Sequence, residues 1–347
     1  MYARVAPLLR ALPDAGLQAL GIPAAAFEVV RLRDERAGET LVARFDFVRE
    51  GERYRVLELN AETPFFLVES FVESGRRARR AGLRDPNAGE YERLGDAFVT
   101  ALAPLAAEAR IGVVATNVYR EDVGTAYALR DLIAARVDAE VVFVPIHELA
   151  VAGGAVLDAH GPLDVLYRCY PLEHLAADPD GPALFTAVAD GACRLLNPPS
   201  ALLLQSKATQ ALIWGLYERG ELFDARERDA IARLFLPTYL DRPDDGHTYV
   251  RKPVLGREGL GVAILDPAGT EIAHGELGAP AYDSQPMVFQ RYARAPRRRV
   301  RRADGAVFDG LELTTCFVLG GQPSAIGMRV GGPVTDTRSH FAALGVR

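Results

Sequence analysis

Residues 41–60, LVARFDFVREGERYRVLELN, alternate apolar and polar side chains on both sides of Arg49-Glu50-Gly51-Glu52. Alternation of period two around a polar turn predicts a β-hairpin. The forty residues before it have helical spacing with short loops. Arg10 and Asp14 interrupt the apolar stretch of MYARVAPLLRALPDAGLQAL, so it reads as an amphipathic helix, not a signal peptide. Helices are expected over residues 65–82 and 90–108. The buried-type strands IGVVAT (111–116), EVVFVPI (140–146) and LDVLYRCY (163–170) follow, with a helix near residues 122–136 between the first two. That strand–helix–strand spacing predicts a small parallel layer. Residues 181–196 and 207–235 read as helical. From Tyr249 onward YVRKPV, GVAILD, MVFQRYA, GLELTTCFVLG and QPSAIGMRVGG predict an antiparallel sheet broken by Gly- and Pro-rich loops. The pattern predicts antiparallel sheet with helices around an α/β insert, in three parts: 1–108, 109–200 and 201–347.

Composition narrows the class. With 49% hydrophobic and 25% charged residues in 347, the chain can bury a sizeable core and is not expected to be disordered. A net charge of −6 argues against a nucleic-acid coat. No apolar run approaches the roughly 18 residues of a membrane span. Cys169, Cys193 and Cys316 are scattered, with no CxxC; this fits a reducing cytoplasm and offers no zinc site. The six histidines show no HExxH spacing. Oligomeric state is not readable. The unusual number lies among the cations. Lys and Arg total 40, but only Lys207 and Lys252 are lysines, leaving 38 arginines. An ammonium is a compact point charge and a guanidinium a planar fork, so these two positions are candidates for needing the former.

Lys252 begins KPVLGREGLG, where Gly256, Gly259 and Gly261 could let backbone N–H groups approach phosphate oxygens. The alternative is a flexible hairpin loop. It is not a GxxxxGK[ST] phosphate loop, and no helix follows as in a dinucleotide fold. In the predicted hairpin, Arg44 and Asp46 face one side, as do Glu58 and Asn60. Two carboxylates and an amide on one face suit Mg²⁺ with phosphate oxygens, or form an ordinary solvated face with salt bridges. The run RAPRRRVRR (294–302) reads as a solvated hairpin tip or, alternatively, as a basic lid for an anionic substrate, and RRARR (76–80) as a solvated helix face.

RFDF (44–47), ELNAETP (58–64), YPLEHL (170–175), NPPSALLLQSKA (197–208), RKPVLGREG (251–259), VFQRYA (288–293) and GMRV (327–330), in that order, resemble the synthetase domain of the glutathionylspermidine synthase family. That family is a permuted branch of the ATP-grasp ligases. The resemblance runs over roughly residues 40–340, and the segment before the hairpin is too short to hold the family's amidase domain. It implies an ATP-grasp fold with an inserted pre-ATP-grasp-like α/β substrate domain. By the same resemblance, Asp46, Glu58 and Asn60 match Mg²⁺ ligands, with two ions expected, and Arg44 matches the arginine on the transferring phosphoryl group. Thr63 matches a contact to the acid substrate, and Lys207 and Lys252 match the ATP lysines. The loop Gly256–Gly261 matches the phosphate lid, Gln290 the strand facing adenine and Arg329 a late active-site arginine. Asp122 or Glu121, placed by a loose match, would serve the amine. Arg168-Cys169 departs from the family's usual Lys-Thr, so Cys169 marks a possible change at the acid site. The implied reaction is amide formation between a small-molecule acid and an amine through an acyl phosphate, with ADP and phosphate as products. The alternatives are a silent nucleotide-binding protein and a phosphoryl transferase.

Overall fold

The computed structural model describes residues 1–103, 105–106, 108–276, 282, 284–302, 304–336 and 338–347. Three sheets carry the candidate chemistry. The hairpin predicted at 41–60 forms as Val42–Glu50 and Arg53–Asn60, with Arg44 opposite Asn60 and Asp46 opposite Glu58. Val42–Glu50 also pairs with Val307–Leu319, which pairs in turn with Gln322–Gly331. With His340–Phe341 and the edge strand Arg297–Arg301, these make a six-stranded antiparallel sheet, called here the long sheet.

A second antiparallel sheet of five strands contains Tyr249–Pro253 between Met287–Arg291 and Ala263–Leu265. The expected parallel layer is present as Glu140–Pro145, Arg110–Ala115, Val165–Arg168 and Arg194–Leu196, all pairings parallel. The helix Arg120–Ala134 crosses between the first two of these strands in sequence. The expectations that 181–196 and 207–235 are single helices do not hold. Gly191 at φ 78° ends the first helix at Ala189, and the chain re-enters the parallel sheet at Arg194. Gly220 at φ 74° ends the second at Arg219, and a new helix Ala225–Leu234 starts at a capping box formed by Asp224 and Glu227.

The residues expected as a helix over 65–82 contain a π-turn, Glu69–Glu73, before the α-helix Ser74–Arg80. Gly327 in the facing strand makes room for it: a Cβ there would lie 2.6 Å from Ser70 Oγ and 2.7 Å from Thr315 Oγ1. The helix expected over 90–108 spans Glu90–Leu102. The sequence pattern does not predict the three-stranded sheet at 150–162; its strands are two to four residues long, too short to show a period.

Two buried apolar clusters tie the layers together. One joins the N-terminal helix Tyr2–Arg10 to the helices Ala201–Gln205 and Lys207–Arg219 through Val5, Leu9, Leu202, Leu203 and Ile213. The other packs Phe98, Ile111, Ile133 and Tyr167 of the parallel layer against Val42, Phe71 and Phe317 of the long sheet. Full burial of such side chains contributes roughly 1.5–3 kcal/mol each, so the sheets that carry the polar groups are held rigidly relative to each other. Among the described residues no helix is long and apolar enough to cross a membrane.

Candidate active site

The register of the long sheet gathers the charges. Glu58, Asp46, Thr315 and Gly327 are successive cross-strand partners and share one face. Arg44 and Asn60 lie two residues along on that face, and Arg329 two residues from Gly327. Asp46 is nearly buried and takes a bidentate pair of hydrogen bonds from Arg44, with Nε donating at 2.7 Å and Nη2 at 2.8 Å. Asn60 Nδ2 donates to the same carboxylate at 3.1 Å, and Arg44 Nη1 donates to the Phe65 carbonyl at 2.5 Å.

Both lysines reach this face from outside the long sheet. Lys207 opens the helix Lys207–Arg219, and its Nζ lies 3.3 Å from Glu58 Oε2 while donating to the Gly256 carbonyl at 2.7 Å. Lys252, on the strand Tyr249–Pro253, donates to Gln290 Oε1 at 2.7 Å and to the Leu57 carbonyl at 3.4 Å. Gln290 Nε2 in turn donates to the Leu57 carbonyl at 3.1 Å, so this side chain positions Lys252. Among the described residues Lys252 has no carboxylate within 4 Å.

The electrostatics follow from the crowding. Burial pushes Glu58 upward, but Lys207, Lys252 and Arg44 outweigh it and hold the carboxyl at about 2. Burial lowers Lys252 from the ordinary 10.5 to about 8; Lys207 adds to this and Glu58 opposes it. Burial and the neighbouring Arg44 lower Arg329. Arg329 Nη2 donates to the Asp336 carbonyl at 3.1 Å. Burial, then Glu258 and Glu121, raise Asp122 to about 6 in the first turn of Arg120–Ala134. Cys169 is buried at the end of its strand, and burial first, then Asp122, pushes its thiol up to about 12. Such a thiol stays protonated near neutral pH and is not an activated nucleophile.

A second cluster lies beside Thr63. Glu62 is fully buried and pairs with Arg168 on one oxygen and with Arg257 Nη2 at 3.0 Å on the other. Arg257 Nε and Nη2 also donate to the two oxygens of Glu173 at 2.7 and 3.1 Å, and Nη1 donates to Thr63 Oγ1 at 2.9 Å. The turn Ala61-Glu62-Thr63 is held from below. Gln205 Oε1 accepts from the Ala61 and Glu62 N–H groups at 2.9 and 3.2 Å. Asn197 Oδ1 accepts from Leu41 and Val42, and its amide donates to the carbonyls of Val42, Ala61 and Glu62. Buried backbone groups need such partners.

Of the residues singled out in the sequence, Arg44, Asp46, Glu58, Asn60, Lys207, Lys252, Gln290 and Arg329 gather around the shared face. Thr63 belongs to the second cluster, with Gly256 linking the two through Lys207. Gly259 and Gly261 lie in the same loop. Asp122 sits in the first turn of the helix Arg120–Ala134, after the strand Arg110–Ala115, and Cys169 directly follows the strand Val165–Arg168. Glu62, Glu173, Asn197, Gln205 and Arg257 lie within the sequence motifs but carry no local sign of a role. Their signal was weak because each meets its partner from a distant part of the chain. The arginines of 294–302 are largely satisfied locally: Arg297 and Arg299 pair with Asp309, Arg298 with Glu312 and Arg302 with Asp304. That is a solvated hairpin.

A Haemophilus influenzae protein named "Putative acid–amine ligase" is 28% identical over 317 residues, covering 87% of this chain and 73% of its own. Two solved structures share the fold over 99% of this chain, each with a TM-score of 0.55. One is a glutathione synthetase-like effector of Globodera pallida, 14% identical with 85% of its chain covered. The other is a "Putative gamma-glutamylcysteine synthetase" of Methylobacillus flagellatus KT, 11% identical with 88% covered. The helices and antiparallel sheets described above are therefore the architecture of these synthetase-type proteins. Because the model of the glutathionylspermidine synthase preATP-grasp family matches residues 9–347, the chain belongs to that family.

Proposed function

We propose that the protein is an ATP-dependent ligase that joins a small-molecule carboxylate to an amine. One observation carries this reading. The only two lysines of the chain converge, from different elements, on the hairpin face that bears Arg44, Asp46, Glu58 and Asn60. Phosphoryl transfer needs positioning and charge neutralisation more than covalent help, and such a face supplies both. The family and the H. influenzae relative's name point the same way.

The donor set fits Mg²⁺, which takes one or two carboxylates together with phosphate oxygens. Asp46 and Glu58 offer hard oxygens from paired positions on one sheet face, and Asn60, which donates Nδ2 to Asp46, would join them by turning its amide oxygen inward. The ion would neutralise phosphate charge there, and two ions are expected. Asp46 and Glu58 are now neutralised by Arg44 and Lys207, so both cations must turn toward phosphate as the carboxylates turn away. In the proposed reaction a substrate carboxylate oxygen attacks the γ-phosphorus and ADP leaves. The amine nitrogen then attacks the acyl carbon of the acyl phosphate, phosphate leaves and the amine loses a proton. Arg44 and Arg329 hold the transferring group, and Thr63 holds the acid. Gln290 fixes Lys252 and, with its strand, borders the adenine. Gly256, Gly259 and Gly261 form the lid that excludes water. Asp122, raised to about 6, is ionised at neutral pH yet basic enough to take the amine's proton.

In this reading residues 1–108 supply the metal hairpin, 109–200 the substrate-facing α/β part and 201–347 the nucleotide grip. We place the protein in the cytoplasm, consistent with three free cysteines. The test is ADP release with Mg²⁺ and ATP over a grid of acids and amines. Turnover that requires one acid and one amine together supports the reading. Tight ATP binding without ADP from any pair would point to a silent nucleotide-binding protein instead.

A further inference from the structure

The glycine loop is fastened at several points. Lys207 donates to its first carbonyl, Gly256. Gly259, at φ 77°, leaves no room for a side chain, since a Cβ would sit 2.5 Å from the Thr335 carbonyl. Between them Arg257 turns inward and makes ion pairs with two buried carboxylates, Glu62 and Glu173, from two other segments. Its remaining nitrogen takes Thr63 Oγ1, the atom assigned to the acid substrate. Every nitrogen of the guanidinium therefore has a partner inside the acid pocket. Bidentate charge-assisted pairs of this kind are about twice as strong as neutral hydrogen bonds.

We propose that Arg257 is a latch. Its pairs with Glu62 and Glu173 hold the glycine loop down and fill the place beside Thr63. An acid substrate reaches Thr63 only when its own carboxylate takes over at Arg257. The latch thereby makes loop opening and acid entry one event, and links it through Gly256 to the lysine that meets phosphate. The step is an exchange of ion pairs, with no bond made or broken. The identity of the displacing group as an acid rests on the proposed ligase function. The fastening itself does not.

The charges explain why a latch here is reversible. Arg168 remains on Glu62 when Arg257 leaves, so Glu62 keeps a partner. Glu173 loses its only ion-pair partner among the described residues, and its departure is the unfavourable part. Burial pushes Glu173 upward, yet Arg257 outweighs it and holds the carboxyl below its ordinary value. Neutralising Glu173 therefore weakens the latch while leaving Arg168–Glu62 intact.

Hydrogen exchange measured by mass spectrometry on the full chain, with no nucleotide added, tests this directly. Arg257→Ala and Glu173→Gln should each let residues 255–262 exchange at least about tenfold faster. The long strand Val307–Leu319 should exchange as before. Arg257→Lys, which keeps the charge but loses the fork, should fall between the unaltered protein and Arg257→Ala. If either single variant fails to fold, the double variant Arg257→Met with Glu173→Gln removes both charges together and should still release the loop. Loop exchange unchanged in the folded variants would overturn the latch. Because this readout needs no ATP, it stands or falls separately from ADP release, which tests the ligase function.

Discussion

The lysine face and the Arg257 pocket lie on either side of one loop, yet they are built in opposite ways. At the lysine face each ammonium is held by a few single contacts: Lys207 by one carbonyl and one carboxylate, Lys252 by one amide oxygen and a long bond to a carbonyl. In the pocket Arg257 and Arg168 interlock with Glu62, Glu173 and Thr63, and Glu62 is fully buried. Point charges with few partners can be handed to phosphate oxygens at little cost. In the pocket the buried Arg168–Glu62 pair, with the bonds of Gln205 and Asn197 to the turn, holds geometry and resists change, while Arg257 is the member that can leave. The protein thus combines a face ready to exchange partners with a pocket that fixes the turn Ala61-Glu62-Thr63.

The largest expected effect tests the rigid side of this comparison. Glu62→Ala leaves Arg168 and Arg257 facing each other without their shared carboxylate, and should lower stability by about 3–5 kcal/mol. Chemical denaturation of the folded variant would show it; a change under 1 kcal/mol would mean the cluster is not rigid. Next comes the exchangeable side. Lys207→Arg and Lys252→Arg conserve charge, but a fork fits a compact phosphate-facing position poorly, so each should lower ATP turnover by about 10²-fold. The bulkier fork at a buried site should also cost stability, by about 1–3 kcal/mol, less than Glu62→Ala. Normal turnover in both would reduce the lysine pattern to coding bias.

A smaller effect follows from Lys252 alone. Its ammonium titrates at about 8 in the fold, down from 10.5, because it is buried. The charged form, which attracts phosphate, prevails below that pH. ATP affinity should therefore weaken as pH rises through about 8, and the Lys252→Arg protein, cationic throughout, should lack this fall. Titration calorimetry across pH 6.5–9.5, a window spanning about 8, would show it. The smallest effect belongs outside both regions. Arg299→Ser removes one of two exposed partners of Asp309 and should change stability by less than about 0.5 kcal/mol and ATP affinity not at all.

The two regions also differ in how far the sequence revealed them. Alternation in 41–60 was enough to place Arg44, Asp46, Glu58 and Asn60 on one face, because a hairpin is local and its period fixes the side. The scarcity of lysine then marked Lys207 and Lys252. The Arg257 pocket has no such local signature. Glu62, Arg168 with Glu173, and Arg257 come from three separate stretches of the chain, and nothing in the periodicity of any one of them points to the other two. The same distinction appears in the fold. The parallel layer was legible from its strand–helix–strand spacing, whereas the strand Arg194–Leu196 hid behind a helical pattern until Gly191 turned the chain. Asn197 and Gln205, which hold the turn carrying Thr63, bond mainly to backbone, and backbone position leaves no mark on side-chain pattern.

The most direct test of the central claim is product formation by the whole protein with Mg²⁺ and ATP, followed by ADP assay and mass spectrometry across paired acids and amines. ADP and an amide lighter by one water than acid plus amine are expected, formed only when both are present and strongly reduced in Lys252→Arg. A stable phosphorylated acid formed without amine, or tight ATP binding with no ADP from any pair, would contradict that claim.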